Sequence, residues 1–95
     1  MKNYYVYIMA SKRNGTLYSG VTSDLIKRVW QHKSGEVPGF TSTYKVNQLV
    51  YYEVHEDILE GIRREKNIEA WRRNWKLRLI EEKNPNWLDL YDDII

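Results

Sequence analysis

The chain has 95 residues, of which 42% are apolar and 29% charged, and it contains no cysteine. That length supports one domain with a thin core, the missing cysteine excludes disulfide frameworks and zinc–thiolate or iron–sulfur sites, and no stretch approaches the ~18–20 apolar residues of a membrane span. The formal charge of +2 is unevenly placed: residues 1–80 carry 14 Lys/Arg against 8 Asp/Glu, whereas residues 81–95 carry Lys83 alone against Glu81, Glu82, Asp89, Asp92 and Asp93. A basic body with an acidic tail points to a polyanionic partner. Residues 1–10 do not read as a signal peptide, so a cytoplasmic protein without a membrane partner is expected.

Tyr4 to Ala10 is apolar on both alternating faces, the pattern of a central strand. Asn14-Gly15 is a strong hairpin signal, and Thr16 to Val21 follows as an antiparallel partner. Ser23 and Asp24 can cap a helix from about Asp24 to Lys33, with Leu25, Ile26, Val29 and Trp30 on one side. Gly35 ends it. Residues 34–47 read as a loop with room for one short helical turn. Leu49 to Val54 is a third strand. A helical pattern then runs from about Asp57 to Lys83, as two helices meeting near Arg72–Asn74, and Asn84-Pro85 stops it. The order β-β-α-β-α(-α) describes an α+β fold, a small three-stranded antiparallel sheet flanked by helices. Residues 1–83 form the domain and 84–95 an acidic tail packed on it or trailing from it.

Three features sit oddly in that framework. With Ile58 at zero on a helical wheel, Ile62 falls at about 40°, Glu65 at about 340° and Glu69 at about 20°. A carboxylate on that apolar side is costly to desolvate. An ion pair or a solvated edge accounts for it, and so does a held metal ion; periodicity leaves Glu65 and Glu69 equivalent. Arg28 and His32 stack one turn apart at the border of the Leu25/Val29 face, where surface solvation is the plainer reading. In the hairpin, a two-residue turn would set Tyr18 opposite Ser11, on the face of Tyr7 but about 13 Å along the sheet. A longer, offset loop of the same parity would bring the two tyrosines together.

Tyr5-Val6-Tyr7, then ten residues, then Tyr18-Ser19-Gly20 resembles the paired motif of the GIY-YIG nuclease superfamily. Arg28 and His32, ten and fourteen residues after Tyr18, resemble that superfamily's arginine and His/Tyr positions. Glu65, inside Arg64-Glu65-Lys66, resembles its metal-binding glutamate, which separates Glu65 from Glu69. The likeness runs on through Trp71-Arg72-Arg73 and Asn84-Pro85-Asn86-Trp87. It is strongest to the small, stand-alone bacterial members, which are related to the N-terminal nuclease domain found in excinuclease ABC and to intron homing endonucleases. Tyr5 replaces the first glycine of the motif and Ser19 the isoleucine. A lysine common after the second motif is absent from Val21-Thr22-Ser23. Asn84 stands in for an asparagine beyond the glutamate, at a longer distance than usual.

The resemblance implies hydrolysis of DNA phosphodiester bonds with one Mg²⁺ or Mn²⁺ on Glu65, with DNA repair as one setting for it. It makes Arg28 the phosphate clamp, Tyr7 the base, Tyr18 its helper and His32 an assistant. These residue types suit such chemistry, because Mg²⁺ takes oxygen ligands and keeps several waters, and an arginine meets charge building on phosphate oxygens. Arg63, Arg64, Lys66, Arg72, Arg73, Lys76 and Arg78 cluster around only Glu65 and Glu69, as in helices that contact phosphates without reading sequence. A solvated helix face is the plainer account of that run, and Trp71 and Trp75 among these charges are expected in the core. The expected protein is a monomer that binds DNA, with the acidic tail free to restrain that binding or to dock on a protein partner. The competing expectation is a nucleic-acid-binding module or accessory protein of the same fold with little catalytic power.

Overall fold

The computed structural model describes residues 2–36 and 38–95. Met1 and Val37, the latter inside the loop expected over 34–47, lie outside that description. The elements are β1 (Tyr4–Ala10), β2 (Leu17–Thr22), α1 (Leu25–Ser34), α2 (Phe40–Thr43), β3 (Gln48–His55), α3 (Ile58–Ala70), α4 (Arg73–Lys83) and α5 (Tyr91–Ile94). The sheet is antiparallel throughout, in the order β2-β1-β3. The α+β class and three-stranded sheet match expectation, and α2 is a short helix within the loop that had room for one turn; the short helix α5 is an addition.

β1 is central because both its faces are apolar. Val6, Ile8 and Ala10 join Val50, Tyr51, Ile68, Ile80 and Trp87 on the side of α3 and α4. Tyr7 and Met9 join Leu25, Val29, Val46 and Leu49 on the side of α1. Burying large apolar side chains on both faces of one strand stabilises each by about 1.5–3 kcal/mol, which compensates for the small size of the chain.

The hairpin decides where the two motif tyrosines meet. Ala10 pairs with Leu17, Met9 with Tyr18 and Tyr7 with Gly20. The loop is therefore longer than the tight two-residue turn, closed by Ser11 N–H to Thr16 O and Gly15 N–H to Lys12 O, with Asn14 at φ 56°. Parity is kept and the offset closes the gap between the tyrosines.

α1 starts on the Asp24 carboxylate, which accepts from Lys27 N–H, and ends at Gly35 with φ 77°. Its buried stripe is Leu25, Val29 and His32; Ile26 and Trp30, expected to share it, are exposed. α3 starts on Asp57, which accepts from Leu59 N–H. Its buried stripe is centred on Gly61 and Ile68 rather than on Ile58. A Cβ on Gly61 would lie 3.3 Å from Val21 Cγ2, so this glycine lets α3 lie close to β2. Glu65 falls between Gly61 and Ile68 on that stripe. The chain breaks at Trp71 and Arg72, both extended, before α4 begins.

Residues 84–91 are woven into the fold. Asn84 Nδ2 donates to Val50 O and Leu88 O, and its Oδ1 accepts from Leu88 N–H. Trp87 is buried in the α3/α4 core, with its indole N–H donating to Glu81 at 2.8 Å. Leu90 N–H donates to Leu49 O, while Asp89 accepts from Leu49 N–H and pairs with Lys33 of α1. Asp89 is thus tied to α1 and β3. Trp87→Ala is expected to cost about 3–5 kcal/mol. Removing residues 86–95 should cost more, read as a lowered midpoint in urea; an unchanged midpoint would place Trp87 outside the core.

Candidate functional site around the edge strand β2

Four of the five motif residues gather on the α1 side of the sheet. The Tyr7 and Tyr18 rings lie 6.5 Å apart between centroids. His32 is 5.9 Å from the Tyr7 ring and 5.3 Å from the Tyr18 ring. Arg28, one turn before His32 on α1, lies against the hydroxyls of both tyrosines. Gly20 makes this packing possible. A Cβ there would stand 2.6 Å from Tyr7 Oη and 2.7 Å from its Cζ, so the Tyr7 ring lies across β2 in the space a side chain would fill.

Tyr7 Oη and His32 Nε2 are 3.1 Å apart, and His32 Nδ1 and Thr41 Oγ1 also 3.1 Å. All three residues are buried. In the neutral ring one nitrogen donates and the other accepts. Tyr7 O–H donates to Nε2 and Nδ1–H to Thr41 Oγ1 in one tautomer, and both bonds reverse in the other. Burial, opposed by Arg28, pushes the Tyr7 phenol up to about 12, with the charge of Glu65 adding to the rise. Burial and then Arg28 push His32 down to about 4, so its imidazole is neutral and its protonation is disfavoured. The neighbouring phenols hold Arg28 above its ordinary value against the effect of burial. Thr41, on α2, carries no signal in the sequence that would have marked it.

Glu65 approaches from the other face. It is half-buried, accepts from Ser19 Oγ–H at 2.8 Å, and lies on the far side of β2 from Tyr7. Because β2 is an edge strand, the two faces meet around its rim. There a cleft of about 580 Å³ is lined by Tyr18, Ser19, Gly20, Phe40, Glu65, Glu69 and Lys76, among others. Burial raises the Glu65 pKa, Ser19 opposes that, and the Glu69 carboxylate adds to it. Glu65 and Glu69, inseparable by periodicity, therefore share this cleft, with Glu65 the more buried.

The remaining candidates separate. Lys76 lines the cleft and donates from Nζ to Glu69 O at 3.0 Å. Arg63, Lys66, Arg72 and Arg78 are exposed, with Arg63 3.7 Å from Glu60. Arg64 points to the opposite side of α3: its Nε donates to Glu53 on β3 and its guanidinium lies over the Trp71 ring. Arg73 donates to the turn carbonyls of Asn14 and Gly15. Asn84 bonds to β3, the edge away from the cleft. Trp71 packs on the core as expected, but Trp75 is exposed and meets only the edge of Trp71's ring.

Two outcomes follow. Gly20→Ala is expected to displace the Tyr7 ring, costing about 1–3 kcal/mol as overpacked cores do; a thermal midpoint equal to that of wild type would refute the close approach. The second concerns acid. Unfolded His32 takes a proton below about pH 6.5, whereas the folded group resists until about 4. Stability from this residue is thus full above pH 6.5 and is lost as pH falls from there towards 4. His32→Asn should flatten the decline of stability over that range, and parallel curves would count against it.

Comparison with known proteins agrees with this geometry. Residues 3–78 match the family model described as the GIY-YIG catalytic domain. A UPF0213 protein of Staphylococcus saprophyticus is 37% identical over 82 residues, covering 86% of this chain and 99% of that protein. One from Staphylococcus haemolyticus is 37% identical over 83 residues, covering 87% and 100%. The solution NMR structure of a UPF0213 protein from Bacillus halodurans superposes with a TM-score of 0.57 at 28% identity, covering 92% of each chain. The chain therefore belongs to the GIY-YIG catalytic-domain family, beside UPF0213 proteins whose length it spans.

Proposed function

We propose that the protein is a divalent-metal-dependent endonuclease that hydrolyses phosphodiester bonds in DNA. The observation that supports this reading is the cluster of Tyr7, Tyr18, Arg28 and His32 on one face of the edge strand, together with the cleft that Tyr18 shares with Glu65.

The donor set suits Mg²⁺ or Mn²⁺. Among the described residues, no three His, Cys, Asp or Glu side chains converge, so a fully caged metal is not built here. Glu65 instead faces an open cleft beside a second carboxylate, Glu69, whose charge disfavours ionisation of the first. A hard cation that keeps most of its waters relieves that repulsion through one or two carboxylate oxygens. When bound, it would polarise the phosphate and stabilise the leaving oxygen.

The protein's own groups supply the rest. Arg28 holds the non-bridging oxygens as their charge grows. Tyr7 is a weak base while protonated; in the phenolate form, which Arg28 favours, its Oη takes a proton from the attacking water while His32 Nε2 stays bonded to that oxygen. Thr41 holds the imidazole in place through its hydrogen bond with Nδ1. The water oxygen bonds to phosphorus, the bond to the leaving oxygen breaks, and Tyr7 holds the proton to return to the leaving oxygen. Tyr18 orients the water. Exposed Arg63, Lys66, Arg72 and Arg78 supply phosphate contacts without sequence preference, so binding weakens steeply with salt. Action on damaged or branched DNA in repair fits such a site.

Purified protein is expected to cut DNA with Mg²⁺ or Mn²⁺ and to stop with chelator. Arg28→Ala should lower the rate about 10²–10³-fold, as loss of one charge-stabilising donor does, and Glu65→Gln should abolish metal-dependent cleavage. Cleavage that survives both substitutions would overturn the assignment. Metal-independent binding with no cleavage of supercoiled, single-stranded or branched DNA would instead support a binding module.

A further inference from the structure

The loop between α1 and β3 leaves two large rings uncovered beside the site. Phe40 is 47% exposed and Tyr44 54% exposed. They lie four residues apart, with ring centroids 4.8 Å from each other. Phe40 is in turn 6.2 Å from the Tyr18 ring, itself 5.3 Å from His32. A stair of aromatic rings thus climbs out of the catalytic cluster. Its lowest exposed step, Phe40, also lines the cleft that holds Glu65 and Lys76.

The exposure is not a sign of a loose segment. Thr41 is buried and bonded to His32, Val46 is fully buried, and Val46 N–H donates to Thr41 O at 2.9 Å. The backbone is pinned from beneath, and the rings stand on its outer side. Packed on each other and on Tyr18, both rings still leave about half their surface open to solvent.

We infer that Phe40 and Tyr44 form a stacking platform for a nucleobase next to the scissile phosphate, so that the substrate is a DNA strand with an unpaired nucleotide at that point. The inference rests on the endonuclease reading above. The charges complement a nucleotide: Lys76 lines the cleft with Phe40, and Arg28 acts on Tyr18 at the inner end of the stair, so both suit its phosphates, while the rings suit the flat face of its base. Inside a duplex both faces of a base are covered by its neighbours, so only an unpaired or extruded base offers a face to such a platform.

The test is a pair of binding titrations without divalent metal, so that the DNA stays intact. The probes are a fluorescent single-stranded oligonucleotide and the duplex of the same sequence; a second single strand carries 2-aminopurine, whose emission falls on stacking. Phe40→Leu with Tyr44→Leu keeps apolar bulk but removes the rings, and Phe40→Trp keeps a ring. The double variant is expected to bind the single strand about tenfold more weakly, with little change for duplex and loss of the 2-aminopurine quench. Phe40→Trp should retain both. If wild type cuts DNA but the double variant binds and quenches as wild type does, or loses both DNAs equally, the platform alone falls. If wild type binds neither DNA, the platform and the endonuclease reading fall together.

Discussion

The site depends on one steric fact, the absence of a side chain at Gly20. Tyr7 belongs to the central strand and would ordinarily be sealed beneath its neighbours. Because nothing stands at Gly20, its ring crosses β2 and brings its hydroxyl towards the rim of the sheet. His32 and Arg28 can then reach it from one helix, and Glu65 comes to the same rim from the opposite face. A core residue becomes an active-site candidate without leaving the core.

That arrangement divides the electrostatic work between the two faces. On the α1 side, low polarity keeps the Tyr7 phenol protonated and His32 neutral, with one permanent cation, Arg28, beside them. On the α3 side, two carboxylates share an open cleft. A phenol-and-imidazole half and a carboxylate half are kept apart by a single strand. The basic residues that look equivalent in sequence are divided too. Arg64 steadies Glu53, Arg73 closes over the hairpin turn and Lys76 enters the cleft, which leaves fewer charges for docking than the sequence suggests.

Local patterning makes much of this legible. The two-sided strand Tyr4–Ala10, the caps Asp24 and Gly35, the stop at Asn84-Pro85 and the misplaced carboxylate at Glu65 all depend on neighbours within a few residues. The hairpin's parity is readable but its offset is not, because the loop is set by where Tyr7 can lie against Gly20. Thr41, the Ser19–Glu65 bond and the diversion of Arg64 depend on partners 9, 46 and 11 residues away. Periodicity carries no information at those separations. Trp75 shows the converse error: helical spacing from Trp71 suggests burial, but the break before α4 turns it outward.

The C-terminal stretch also bears on how the molecule comes into being. Trp87 and Ile80 fill the same cluster as Val6 and Ile8, and Leu90 hydrogen-bonds to Leu49. Contacts so distant along the chain close late, after the loop entropy between them has been overcome. A ribosome making this protein exposes the central strand first and the residues that seal it last. The tyrosine that would do the chemistry is thus synthesised early, and its strand stays unsealed on one face until residues 80–90 have emerged.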